Sequence, residues 1–238
     1  MSEFCHCMNP ETWSINAHFI APNPITSLNP VSVCPCVHPS AYVGPFSSVI
    51  GDVTVDKNVF IAPLVSVRAD EGTPFYIGED SNLQDGVILH GLAHGRVEAD
   101  GREYSIFIGS RVSCAHGCIV HGPCLLASGV FVGFRAIVFD AVVGGGSYIS
   151  AGALVTGGVT IAEGRFVAPG MIVDTQQEAD ALPEVSEAQH EFAEEVIHVN
   201  TEFPRAYAKL FGPTRCSCGL ACTPHGCAVC DSPPCGER

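Results

Sequence analysis

Valine and isoleucine return at every sixth position through much of this chain, and no helix has a period of six. Val37, Val43, Val49, Val55, Ile61 and Val67 make one run. Ile108, Cys114, Val120, Leu126, Val132 and Val138 make a second, and Val143, Ile149, Val155, Ile161, Val167 and Val173 a third. A companion series lies two residues earlier, through Val53, Val59 and Val65, then Ile106, Val112, Cys118, Cys124, Val130, Ala136 and Val142. Residues two apart on a strand face the same side, so the two series fill one core. Each hexad is then a short strand plus a turn. Glycine follows the apolar residue at Val43-Gly44, Ile77-Gly78, Ile108-Gly109, Val132-Gly133 and Val143-Gly144, where a tight corner favours it. Three hexads per coil close a triangular prism of parallel sheets, the parallel β-helix specified by hexapeptide repeats. Sandwich strands would not keep a register of six over this length.

The phase is interrupted in the middle. Ile77, Leu83 and Leu89 are in step, and the pattern resumes at Ile108, Cys114 and Val120, 31 residues later and so 13 more than an 18-residue coil. Residues 92–104 are polar and carry turn chemistry, which marks an inserted loop. Loops on a rigid scaffold often carry function. With the loop set aside, His90 and His121 stand one coil apart at the same hexad position. Coils lie about 4.8 Å apart, so the two rings project side by side, a workable pair for a zinc-like ion with bonds of roughly 2.0–2.1 Å. His116 precedes His121 by five residues. At about 3.3 Å per residue it falls a prism face away, so a neighbouring subunit can supply it where the same chain cannot. A cyclic oligomer follows, and a triangular prism points to three-fold symmetry.

The residues around these histidines resemble the gamma class of carbonic anhydrases. The motifs are Arg68-Ala-Asp-Glu71-Gly-Thr-Pro, Asn82-Leu-Gln84-Asp85-Gly-Val-Ile-Leu-His90-Gly, His116, His121-Gly-Pro, Phe131-Val-Gly-Phe and Gly164-Arg-Phe-Val-Ala-Pro-Gly, in order over about residues 30 to 205. Within the class the chain looks most like the carboxysomal anhydrase domain. The resemblance implies an all-β solenoid, a left-handed parallel β-helix with a C-terminal α-helix, assembled as a homotrimer. Left-handedness comes from the resemblance alone, since crossover rules favour the right hand. It also implies reversible hydration of carbon dioxide to bicarbonate by a metal-bound hydroxide at trimer interfaces. His90 and His121 would bind the metal from one chain and His116 from its neighbour. The metal would be Zn2+, with Fe2+ or Co2+ accepted by the same ligands. Glu71 resembles the carboxylate that handles the proton, and Gln84 the side chain that orients the hydroxide. Asn82 and Asn200 resemble contacts to carbon dioxide or bicarbonate. Arg68, Asp70 and Asp85 read as a structural ion-pair network.

One position departs from the pattern. Where members with a longer loop carry a proton-shuttling glutamate, this chain has Ala93, with His94 beside it. Histidines as a class titrate near neutrality, so His94 is the candidate shuttle.

The remaining sequence bounds the rest. Residues 1–36 are expected as an extended lead-in, 37–183 as the β-helix with its loop at 92–104, 184–211 as a helix and 212–238 as a Cys-rich tail. Ala188, Phe192, Ile197 and Val199 predict one apolar helix face, with Pro204 kinking or ending the helix or starting a second short one. A formal charge of −14 disfavours nucleic acid and anionic membranes. No apolar run is long enough to span a membrane, and no secretory leader is evident at the start. A cytoplasmic location, or one inside a carbon-fixing compartment or organelle among that compartment's proteins, is expected.

Of 13 cysteines, Cys216, Cys218, Cys222, Cys227, Cys230 and Cys235 crowd the last segment around His225, while Cys5, Cys7, Cys34 and Cys36 pair near the start. A disulfide clasp, a soft-metal site and an unstructured tail stay open. Cys114, Cys118 and Cys124 fall in the core series, as small hydrophobes. Two other functions compete with the anhydrase. One is a catalytically weak scaffold or bicarbonate-binding assembly protein, against which stands the absence of further repeat domains before residue 238. The other is a hexapeptide acyltransferase, which leaves Glu71, Gln84 and the three histidines without a purpose.

Overall fold

A computed structural model describes residues 19–212 together with 222–223 and 226–227. Short parallel strands wind into a left-handed β-helix whose three faces stack coil upon coil. The first face holds Ser48–Gly51, Ser66–Ala69, Ile88–Gly91, the start of Ile119–Leu126, the start of Ile137–Val143, Leu154–Val155 and Ile172–Val173. The second holds Cys36–Val37, Val53–Val55, Phe75–Ile77, Ile106–Ile108 and the ends of the two long strands, then Val159–Ile161. The third holds Tyr42–Val43, Phe60–Ile61, Asn82–Leu83, Ser113–Cys114, Phe131–Val132, Tyr148–Ile149 and Phe166–Val167. Phe19–Ala21 adds a parallel strand beside Ser48–Gly51 at the edge of the first face.

The core is the hexad series itself. Val43, Val49, Val55, Ile61, Val67, Ile77, Leu83, Leu89, Ile108, Val120, Leu126, Val132 and Val138 are all buried, with Cys114, Cys118 and Cys124 among them. Burial pushes the Cys118 and Cys124 thiols well above the usual range, so they pack as apolar groups.

Three expectations need correction. Val142 is not a core residue: Ala141 is buried in its place, because the chain advances only five residues from Val138 to Val143. The strand Ile137–Val143 runs past Gly122-Pro123 of the preceding coil with a register shift, pairing His121 with Phe139 but Cys124 with Ala141. The glycines after the apolar residues serve close stacking rather than a special backbone angle. At Gly144 a Cβ would lie 2.5 Å from the Glu163 nitrogen of the next coil. The left-handed corner backbone falls elsewhere, at Asn58, Asp80 and Arg111 and their successors Gly129, Gly146 and Gly164, which recur at coil spacing.

The third correction concerns the helices. Gln176–Asp180 (α1) closes one end of the prism, placing Ala179 and Leu182 in the core behind a Thr175/Glu178 capping box. Glu187–Phe211 (α2) starts at a Ser186/Gln189 capping box and returns along the third face. Phe192 and Val199 are exposed, and the buried stripe is Ile197, Asn200 and Pro204, with Phe203, Tyr207 and Ala208 packed on the core. Pro204 does not end the helix. It lacks an N–H for the preceding turn, a cost of about 3 kcal/mol in a helix interior. Rings on either side of it offset that cost: Phe203 lies 5.1 Å from Phe60, and Tyr207 lies 5.3 Å from Tyr42 and 5.4 Å from Phe60.

The inserted segment forms an antiparallel hairpin, Val97–Ala99 with Arg102–Tyr104. Cys34 and Cys36 are both disulfide-bonded. The readings for Cys5, Cys7 and the Cys-rich tail lie outside the described residues, apart from an antiparallel pair between Cys222–Thr223 and Gly226–Cys227. No helix among the described residues is long and apolar enough to cross a membrane.

Candidate metal centre

Adjacent coils bring His90 and His121 into register as direct strand partners on the first face. Their side chains project outward, with His90 Nδ1 3.3 Å from His121 Nε2. Two ligands on a tetrahedral ion with bonds of roughly 2.0–2.1 Å lie about 3.3 Å apart, so the pair fits one metal edge. His121 Nδ1 lies 3.1 Å from the Gly122 carbonyl. An N–H donated there leaves Nε2 with its lone pair facing His90. Phe139 stands edge-on to His121 at 5.2 Å and walls that side.

Two carboxylates flank this pair. Asp70 Oδ1 is 3.3 Å from His90 Nε2, and its other oxygen accepts from Arg68 Nη1 at 3.1 Å. Glu71 Oε2 is 3.9 Å from His90 Nε2. The Ala93 N–H donates to Glu71 Oε1 at 3.2 Å, so the loop backbone aims this carboxylate. Below them, buried Asn29 donates to the carbonyls of Asp70 at 2.7 Å and Glu71 at 3.1 Å. Sequence reasoning missed Asn29, because it sits 41 residues before Asp70 in an irregular segment that has no period to read.

The third candidate histidine lies around the corner of the prism. His116 is 56% exposed, stacks on Phe134 and lies 3.1 Å from Asp85. It shares a cleft of about 470 Å³ with Gln84, Asp85, Asn200 and an apolar wall of Phe60, Phe131, Phe134, Phe192 and Val199. Asp85 therefore pairs with His116, and Arg68 with Asp70. Gln84 donates to Asn82 Oδ1 at 3.1 Å, and Asn82, fully buried, donates to Ser113 at 2.8 Å. Asn82 thus reaches the cleft only through Gln84. Asn200 donates to the Val196 carbonyl of its own helix at 2.9 Å and lines the cleft. His94 is exposed on the inserted loop, whose backbone is held by Arg96 Nη1 bonds to the carbonyls of Ala93 and Gly95. Among the described residues, no three His, Cys, Asp or Glu side chains are arranged to hold a metal ion within the single chain.

A prism of parallel hexapeptide coils bearing paired outward histidines defines the architecture, and known proteins narrow it. No family model matches the chain. The hexapeptide transferase family protein from Anaplasma phagocytophilum superposes with a TM-score of 0.59 at 27% identity, covering 75% of this chain and 94% of that one. A Bacillus cereus structure, at a TM-score of 0.62 and 22% identity, shows the same fold. The carbonic anhydrase of Methanosarcina thermophila is 41% identical over 200 residues, which are 79% of this chain and 81% of that protein. The chain belongs to the gamma-class carbonic anhydrase family. The carboxysome assembly protein CcmM of a Nostoc species is 46% identical over 172 residues, 72% of this chain but 31% of that protein. CcmM of Synechococcus elongatus is 48% identical over 164 residues, 68% of this chain and 30% of that one. The chain thus spans about a third of the length of these assembly proteins.

Proposed function

We propose that the chain is a metal-dependent carbonic anhydrase, converting carbon dioxide and water to bicarbonate and a proton at the interfaces of a homotrimer. The observation that supports this reading best is the division of the site. His90 and His121 sit 3.3 Å apart on one face, while His116 stands with Gln84 and Asn200 in a cleft around the corner. Two protomers are needed to join them. The face that carries the histidine pair also carries an outward apolar column, Ile88, Ile119, Ile137, Leu154 and Ile172, each the strand partner of the next. Ile172 is 57% exposed and Ile88 41%, so a contiguous apolar strip runs beside the histidines and favours burial against a second copy.

His90, His121 and the neighbouring protomer's equivalent of His116 would hold Zn2+, with Fe2+ or Co2+ suited to the same donors. Such an ion supplies the Lewis acidity that brings a bound water's pKa towards 7. The chain's own groups then divide the work. Glu71 is placed to take the proton from water, with the Ala93 N–H fixing its orientation. Gln84, held by Asn82 and Ser113, orients the attacking oxygen by hydrogen bonding. The phenylalanine wall offers carbon dioxide an apolar seat, with Asn200 beside it in the same cleft. Arg68 and Asp70 keep His90 in place.

His94 carries protons from this site to buffer. Changing His94 to Ala is expected to slow turnover severalfold in dilute buffer, with added imidazole restoring it. Unaltered turnover in dilute buffer would remove that role.

A second reading is favoured by the similarity to CcmM: a carboxysome assembly role, with the prism retained and catalysis weak. Stopped-flow hydration of carbon dioxide, run on anaerobically purified and on oxidised protein with metal assayed in each, separates the two. Metal-dependent hydration supports the enzyme. Bound metal without hydration in either redox state supports the scaffold.

A further inference from the structure

Three of the proposed site residues are each followed by glycine: Glu71-Gly72, His90-Gly91 and His121-Gly122. The three glycines converge on one atom. A Cβ built on Gly91 would lie 2.1 Å from Ser105 Oγ; one on Gly72 would lie 2.5 Å from it, behind the Leu92 carbonyl oxygen at 2.3 Å, and one on Gly122 2.7 Å, behind the carbonyl oxygen of Ser105 itself at 2.3 Å. Ser105 is fully buried, and its hydroxyl has no hydrogen-bond partner among the described residues. Thr73 Oγ1, next to Gly72, is in the same condition. The backbone around Ser105 is tied on both sides: its N–H donates to the Pro74 carbonyl at 2.9 Å, and its carbonyl accepts from Cys124 at 3.0 Å. The glycines are tied to one another, with Gly72 donating to the Gly91 carbonyl at 3.0 Å and Gly91 paired with Gly122 in the ladder.

A buried hydroxyl that bonds nothing costs stability, and an alanine there would not carry that cost. What Ser105 contributes is therefore volume: one heavy atom where three glycine backbones meet. The structure assigns Ser105 a positioning role. Its Oγ is the spacer that sets the separations of Glu71, His90 and His121 through the glycines that follow them. Ser105 touches no reacting group, and the inference rests on the metal-site reading above.

Gly91 gives the sharpest test, because Ser105 Oγ alone crowds its Cβ position; the next atoms, Phe75 Cε1 and Ser105 Cβ, are each 3.3 Å away. The experiment is a Co2+ titration of the full metal-free chain by visible absorption, with thermal melts of each metal-free protein. The proteins are the parent, Ser105→Ala, Gly91→Ala and the double variant. Ser105→Ala is expected to melt at or slightly above the parent temperature, yet to bind Co2+ roughly tenfold more weakly with an altered spectrum. Gly91→Ala is expected to bind more weakly still. The double variant recovers to near the Ser105→Ala value, because the crowding atom is gone.

Parent-like affinity and spectrum in Ser105→Ala would overturn the assignment, whatever its melting temperature. So would a cycle in which the two changes simply add. Should Gly91→Ala fail to fold, Ser105→Ala alone decides. Failure of the parent to bind Co2+ would instead refute the metal site itself, and the spacer role with it.

Discussion

Replacing His121 with alanine should remove both bound metal and carbon dioxide hydration, with a loss exceeding the roughly 10–100-fold that outer-shell partners of a metal typically carry. The reason is geometric. His121 Nε2 is the atom that faces His90, and the bond from its Nδ1 to Gly122 leaves that nitrogen free to bind. With the ring gone, His90 keeps the carboxylates of Asp70 at 3.3 Å and Glu71 at 3.9 Å but has lost its partner imidazole. Metal analysis and stopped-flow hydration on the same sample check this. The fold should survive, because the side chain points out of the prism and its neighbours Val120 and Gly122 hold the ladder. A His121→Ala protein that hydrates carbon dioxide at the parent rate would mean the chemistry lies elsewhere.

The second large effect is on stability, far from that site. Gly144→Ala should destabilise the prism by about 3 kcal/mol or more, since the new Cβ would meet backbone of the next coil at Glu163 and Ala162. In a domain of this size that lowers the melting temperature by roughly 6–12 °C. Gly152→Ala is the contrast. It has open space around the new Cβ and only its left-handed backbone to strain, a cost of about 1–2 kcal/mol. Equal melting temperatures for the two variants would contradict close coil stacking as the reason for Gly144.

Why some of this was legible in the sequence and some was not follows from what a period can record. A hexad repeat fixes which residues enter the core, and through the core it fixes which outward residues stack. His90 and His121 could be aligned because each directly follows a core residue, Leu89 and Val120. The same logic misplaced Val142, where the chain shortens by one residue beside Gly122-Pro123 of the coil before, a change no single hexad shows. Helix α2 was visible as a helix, yet its buried face was misassigned. Phe192 and Val199 carry the apolar signal, but the prism surface they meet is an open cleft, while Asn200 and Pro204 are the residues covered. Asn29 and Ser105 left no trace at all. One acts through backbone carbonyls 41 and 42 residues away, and the other through three glycines far apart in the chain. Neither contact is periodic.

The proposed division of the site between protomers is tested most directly by mixing two inactive variants. His90→Ala lacks one half of the site and His116→Ala the other, so each alone should lack hydration. Unfolded together in equal amounts and refolded, they should form trimers in which one interface of three joins an intact His90/His121 pair to an intact His116. Random assembly then restores about a quarter of the parent activity, with metal content rising in proportion. With one variant labelled with nitrogen-15 so that mixed trimers can be verified by mass, activity that stays at the level of the separate variants would contradict a shared site.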